Sequence, residues 1–111
     1  MKKLSALIVA LAVAAALAVP ALAGTTTVKT ADNYFVHRGS RPTVTVSKGT
    51  TVKWKWEHTE SFHNVVVDTG PQKFNSKTKA KGTYSHKMTK RGTYLIVCTL
   101  HPGMTMKLKV T

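Results

Sequence analysis

Apolar and polar positions alternate through much of the chain. Val52, Trp54 and Trp56 are separated by Lys53 and Lys55, and a period of two is that of a strand with one buried face. The same period returns in Tyr84, His86 and Met88, in Tyr94, Ile96 and Cys98, and in Met106, Leu108 and Val110. A shorter case, Val44-Thr45-Val46, precedes the turn residues Ser47-Lys48-Gly49. Further strands fit residues 26–30 and 64–67. Each run is short and bounded by turn formers, and no convincing helix follows the N-terminal segment. About seven to eight strands of this kind predict an all-β fold, a Greek-key β-sandwich. Trp54, Trp56 and Met88 are expected in its core. Between Thr69 and Gly82 the alternation fails: Gly70, Pro71, Asn75, Ser76 and four lysines surround a single large apolar residue, Phe74. That stretch predicts a basic surface loop.

The N-terminus has a different pattern. Lys2 and Lys3 precede an alanine-rich apolar run, Leu4 to Val19, which is followed by Ala21-Leu22-Ala23. A charged start, an apolar middle and a small-residue end are the three parts of a secretory signal. The run is 16 residues, short of the about 20 that cross a bilayer. Residues 1–23 are therefore expected to be a signal peptide, with a retained anchor as the alternative. Residues 24–111 form one domain of 88 residues, room for a single modest core. An exported, periplasmic or extracellular location follows.

Without Lys2 and Lys3, 15 basic and 4 acidic side chains remain, a formal charge of +11. Such a field favours an anionic partner, such as an acidic protein face or an anionic membrane surface, although it also serves solubility alone. Nucleic acid is not expected, and nothing in the chain calls for more than a monomer. Small exported domains often staple themselves with paired cysteines, but Cys98 is alone. An odd exported cysteine is a half-bridge, a reactive thiol or a metal ligand.

Its neighbours favour the metal. Cys98-Thr99-Leu100-His101-Pro102-Gly103-Met104 places a thiolate, an imidazole and a thioether within one turn at a strand end. Thiolate and thioether suit Cu(I), and imidazole accommodates Cu(II) as well. Zinc would not call for the methionine, a structural zinc site wants four Cys or His ligands, and a c-type haem would need a Cys-x-x-Cys-His sequence. A second imidazole must come from elsewhere. His63 is the best candidate, because it follows the polar stretch His58 to Ser61 and opens the apolar run Val65-Val66-Val67. His37, His58 and His86 lack such company and read as surface or strand residues, with His58 the nearest accessory donor. A mononuclear copper site is the expectation.

Gly49, the Val52-Lys53-Trp54 strand, His63-Asn64-Val65 and Gly92-Thr93-Tyr94 leading to Cys98-x-x-His101-Pro102-x-Met104 together resemble the cupredoxins. The likeness is to the plastocyanin, pseudoazurin and amicyanin group, and it covers nearly all of residues 24–111. It implies one Cu(I)/Cu(II) ion, with His63, Cys98 and His101 as equatorial ligands and Met104 as a weak axial one. Asn64 would tie the two ligand-bearing loops together. The short spacing from His101 to Met104 is similar to amicyanin, whereas a pseudoazurin-like alignment would choose Met106; the strand alternation of Met106 with Leu108 and Val110 favours Met104.

Two departures carry consequences. Leu100 stands where plastocyanin-like loops commonly have proline, so its backbone N–H is available to the Cys98 sulfur. Val97 replaces an aromatic residue often found before the cysteine, so electron exit is expected through the His101 edge, amid Leu100, Pro102 and Gly103. Four protein ligands leave no open position for a substrate; the expected role is that of a one-electron carrier between redox proteins, not an enzyme. The alternatives are a carrier of the copper ion itself and an immunoglobulin-like module that grips an anionic polymer.

Overall fold

Eight strands carry the alternation in a computed structural model that describes residues 24–37 and 42–111. The expected signal peptide lies outside the described residues. In chain order the strands are β1 Thr25–Ala31, β2 Tyr34–Val36, β3 Thr43–Val46, β4 Thr51–Trp56, β5 Val66–Thr69, β6 Gly82–Lys87, β7 Gly92–Val97 and β8 Thr105–Val110. They form two four-stranded sheets, ordered β2-β1-β4-β6 and β3-β8-β7-β5. The predicted sandwich is thus present. Parallel pairing of β1 with β4 and of β3 with β8 requires crossover connections, because parallel neighbours cannot be joined by a tight hairpin, and here the crossovers pass through the other sheet.

The inward-facing positions are those the alternation selects. Val52, Trp54 and Trp56 of β4 oppose Tyr94 and Ile96 of β7 and Met106, Leu108 and Val110 of β8 in one buried cluster. Trp54, Tyr94, Ile96 and Met88 are fully buried. Each such side chain contributes roughly 1.5–3 kcal/mol of transfer free energy. β2 has no signature in the sequence, since three residues are too few to show a period; its Phe35 is fully buried.

The segment between β5 and β6 is more than a surface loop. Phe74 and Ser76 are buried. Ser76 N–H donates to the Val65 carbonyl (2.8 Å), and Val65 N–H donates to Ser76 Oγ (2.8 Å). Further along, Lys79 and His63 exchange both backbone hydrogen bonds at 3.0 Å. The loop therefore folds back along residues 63–67 and fixes the backbone of His63. β5 starts at Val66 rather than at residue 64.

Antiparallel β7 and β8 end and begin at the same pole, joined by residues 98–104. The connection is closed by Cys98 N–H donating to the Met104 carbonyl (3.0 Å). Asn64 ties this turn to the His63 segment. Its Oδ1 accepts from Thr99 N–H (2.8 Å), and its Nδ2 donates to Thr99 Oγ1 (2.8 Å) and Thr78 Oγ1 (3.3 Å).

Two consequences can be measured. Removing the Asn64 side chain leaves the Thr99 N–H without its acceptor, so Asn64→Ala should lower the stability of the copper-free protein by about 1–3 kcal/mol in denaturant titrations; an unmoved midpoint would show that the two loops hold together without it. At Gly70, an added Cβ would sit 2.5 Å from Cδ2 of Tyr94, a ring further held by its hydroxyl donating to the Lys90 carbonyl (2.7 Å). Gly70→Ala is expected to cost about 1–3 kcal/mol by overpacking, and wild-type stability would mean that the ring gives way freely.

Candidate metal centre

At the pole where β7 meets β8, three donor atoms converge. His63 Nδ1 lies 3.2 Å from His101 Nδ1 and 4.0 Å from Cys98 Sγ, and His101 Nδ1 lies 3.6 Å from the same sulfur. The circle through these three points has a radius of about 2.1 Å, close to the roughly 2.0–2.3 Å over which imidazole and thiolate bind a first-row metal. Among the described residues this is the one group of three His, Cys, Asp or Glu side chains so arranged. The donor set of two imidazole nitrogens and one cysteine sulfur fits copper.

Each donor is placed by a different element. Cys98 directly follows β7 and is 3 % exposed. His101 lies in the turn that follows, where Met104 N–H donates to the His101 carbonyl (3.1 Å). His63 comes from the crossover between the sheets and is fully buried, its backbone held by Lys79. Met104, at the end of the turn, is 1 % exposed. Met106 differs: its sulfur accepts a hydrogen bond from Trp54 Nε1 (3.4 Å) in the core.

The remaining histidines stand apart. His37 Nδ1 pairs with the Thr27 carbonyl (3.0 Å), His58 is exposed, and His86 stacks on Phe74 with ring centroids 4.1 Å apart. Burial of His86 against that ring lowers its pKa. Leu100, expected to supply a backbone donor to the Cys98 sulfur, is not among the sulfur's partners, which are the two imidazoles; the Thr99 N–H is the turn's amide that finds a partner across the pole, in Asn64. The Leu100 side chain is half-exposed beside His101, whose ring is partly accessible, and Phe62 is exposed beside His63.

One residue of the site is invisible to sequence reasoning. Asp32, in the turn between β1 and β2, accepts from His63 Nε2 at 2.8 Å. The same carboxylate accepts from Glu60 N–H (2.9 Å), Ser61 N–H (3.3 Å) and Ser61 Oγ (3.0 Å). The His63 hydrogen bond first, and the Glu60 amide next, hold its carboxyl well below the usual carboxylate range; partial burial opposes them and the Ser61 contacts add. Asp32 is 31 residues from His63. Its one sequence signal is the Asp-Asn pair of a hairpin turn, which names a turn and no ligand.

Comparison with known proteins agrees with this geometry. The profile of the copper binding proteins of the plastocyanin/azurin family matches residues 24–111. Among solved structures, a proline-to-phenylalanine variant of reduced amicyanin is 29 % identical, with 86 % of this chain and 89 % of that one covered at a TM-score of 0.63. The purple cupredoxin of Nitrosopumilus maritimus shares the fold at 20 % identity and a TM-score of 0.62, covering 78 % of this chain and 99 % of that one. The copper-containing nitrite reductase of Thermus scotoductus SA-01 matches at 28 % identity and a TM-score of 0.66 over 84 % of this chain, which spans only 23 % of that enzyme. No curated protein matches. With eight strands in two sheets, a His-Cys-His group at one pole and the family profile over the whole domain, the chain belongs to the plastocyanin/azurin family of copper-binding proteins, and its cofactor is one copper ion.

Proposed function

We propose that the protein is an exported one-electron carrier, working between redox proteins, with a type 1 copper centre. The observation that carries this reading is the closed donor triangle of His63, Cys98 and His101, buried on one side and reaching the surface only along the His101 edge. His63, Cys98 and His101, with Met104 as the fourth donor, would hold the ion. The Met106 sulfur is already engaged by Trp54 within the core, which supports Met104. Copper held there supplies a Cu(I)/Cu(II) couple.

The chain's own residues suit that task. His63 is sealed from water and cannot swing away, because its backbone is clamped by Lys79 and its ring by Asp32. A geometry fixed by protein contacts changes little with oxidation state, which keeps the barrier to electron transfer low. With the Met104 thioether as fourth donor, an ion held there would keep no open position for a substrate, and we infer that the protein is not an enzyme.

The His101 ring, beside exposed Leu100 and Pro102, offers an apolar, readily desolvated contact, suited to the small interfaces of transient redox encounters. Exposed Lys77 and Lys81 favour an acidic partner face. Lys79 instead lies over the Trp56 ring, 4.9 Å from its centroid.

Copper titration of the purified protein, followed by optical spectroscopy and voltammetry, tests the reading. Intense visible absorption at one copper per chain and a reversible one-electron wave are expected; colourless Cu(I) binding with fast exchange would show a copper carrier instead. The two methionines separate under substitution. Met104→Gln should change the visible spectrum and lower the reduction potential, because the amide replaces a ligand that favours Cu(I). Met106→Gln should leave the spectrum unchanged but cost about 1–3 kcal/mol of stability by burying an amide, and the reverse pattern would reassign the axial ligand.

A further inference from the structure

Beyond the three converging donors, the site contains a carboxylate that faces away from the metal position. Asp32 is fastened by four hydrogen bonds, two of them from consecutive backbone amides of the segment that leads into His63. It sits next to Asn33, whose φ of 70° closes the two-residue turn between β1 and β2, a conformation that asparagine tolerates. Because β1 runs parallel to β4, this turn lies at the pole where β4 gives way to the His63 crossover. The hairpin therefore delivers one anionic side chain directly behind one buried imidazole.

An ionised carboxylate only accepts hydrogen bonds, so His63 Nε2 must be the protonated nitrogen. Its Nδ1 is then the lone pair, aimed at Cys98 Sγ and His101 Nδ1. A carboxylate on the outer nitrogen also makes the imidazole a stronger donor. It adds negative charge where Cu(II) benefits more than Cu(I). Ser61 Oγ, 3.3 Å from the same Nε2 and 3.0 Å from Asp32 Oδ1, keeps that carboxylate oxygen in place. The side chain of Asp32 is 34 % exposed while that of His63 is fully buried, so part of its field reaches the imidazole through protein rather than water.

We propose that Asp32 is a positioning residue of the copper centre: it fixes the His63 tautomer and ring orientation and biases the bound ion toward Cu(II), lowering the reduction potential. This rests on His63 being a copper ligand. Asp32 contacts the outer nitrogen of His63 and not the metal position, so its charge would act as a constant bias on an ion held there.

Asp32→Asn keeps the size of the side chain and removes its charge. With wild type and variant both copper-loaded, voltammetry should show a higher potential in the variant. Loss of an outer partner of a ligating histidine typically weakens metal binding by about tenfold or more; if that falls on Cu(II), a tenfold change corresponds to about 59 mV for a one-electron couple. Asp32→Ala should shift in the same direction. A variant that is folded and blue with the wild-type potential would overturn the inference and leave the copper reading intact, whereas a wild type that takes up no copper would remove both. If neither variant folds, NMR of the wild-type Cu(I) protein decides: a slowly exchanging, hydrogen-bonded His63 Nε2 proton is expected, and an Nε2 without a bound proton, or one exchanging freely with water, contradicts it.

Discussion

The structure depends on one constraint, that two imidazole nitrogens and a thiol sulfur be held about 3–4 Å apart at one pole. Left to themselves these groups would find water or other partners, since a weak S–H donor and two imidazoles reward one another little in the absence of an ion. The fold imposes the arrangement by locking two chain segments from different sheets at one pole. Asn64 and Thr99 join the segments side by side, the Lys79 backbone holds His63 from one flank, and Asp32 holds its ring from another.

That constraint explains features that look unrelated in isolation. The basic segment between β5 and β6 runs back along residues 63–67, with Phe74 in the core and Ser76 hydrogen-bonded to Val65. Lys79 thereby serves through its backbone, and its charge rests over Trp56 rather than reaching for a partner. The core tryptophan of β4 has two tasks as well: Trp54 fills the interior and occupies the sulfur of Met106, while Met104 is the buried thioether at the end of the turn between β7 and β8.

Much of this is legible in the amino-acid sequence, for physical reasons. Period-two alternation is a local property, and it marks β3, β4, β6, β7 and β8 and the core residues they bury. The turn that carries two of the converging donors is equally local, with Cys98 and His101 close together in the chain. His63 is reachable because a lone imidazole opening an apolar strand is unusual. What escapes depends on tertiary contact. β2 is too short to show a period, the clamp between residues 63–67 and 74–79 is made of backbone hydrogen bonds that any side chain could accompany, and Asp32 meets His63 only because β1 and β4 pair in parallel. The expectation of the Leu100 amide at the sulfur rests on the absence of proline alone, and a missing ring makes a donor available without aiming it.

X-ray absorption at the copper edge of the loaded protein tests most directly whether this pole is the metal centre. One sulfur and two nitrogen scatterers within about 2.0–2.3 Å are expected, with the sulfur lost in Cys98→Ser and one nitrogen lost in His63→Gly. A shell of oxygen and nitrogen alone, or one left unchanged by both substitutions, would contradict it.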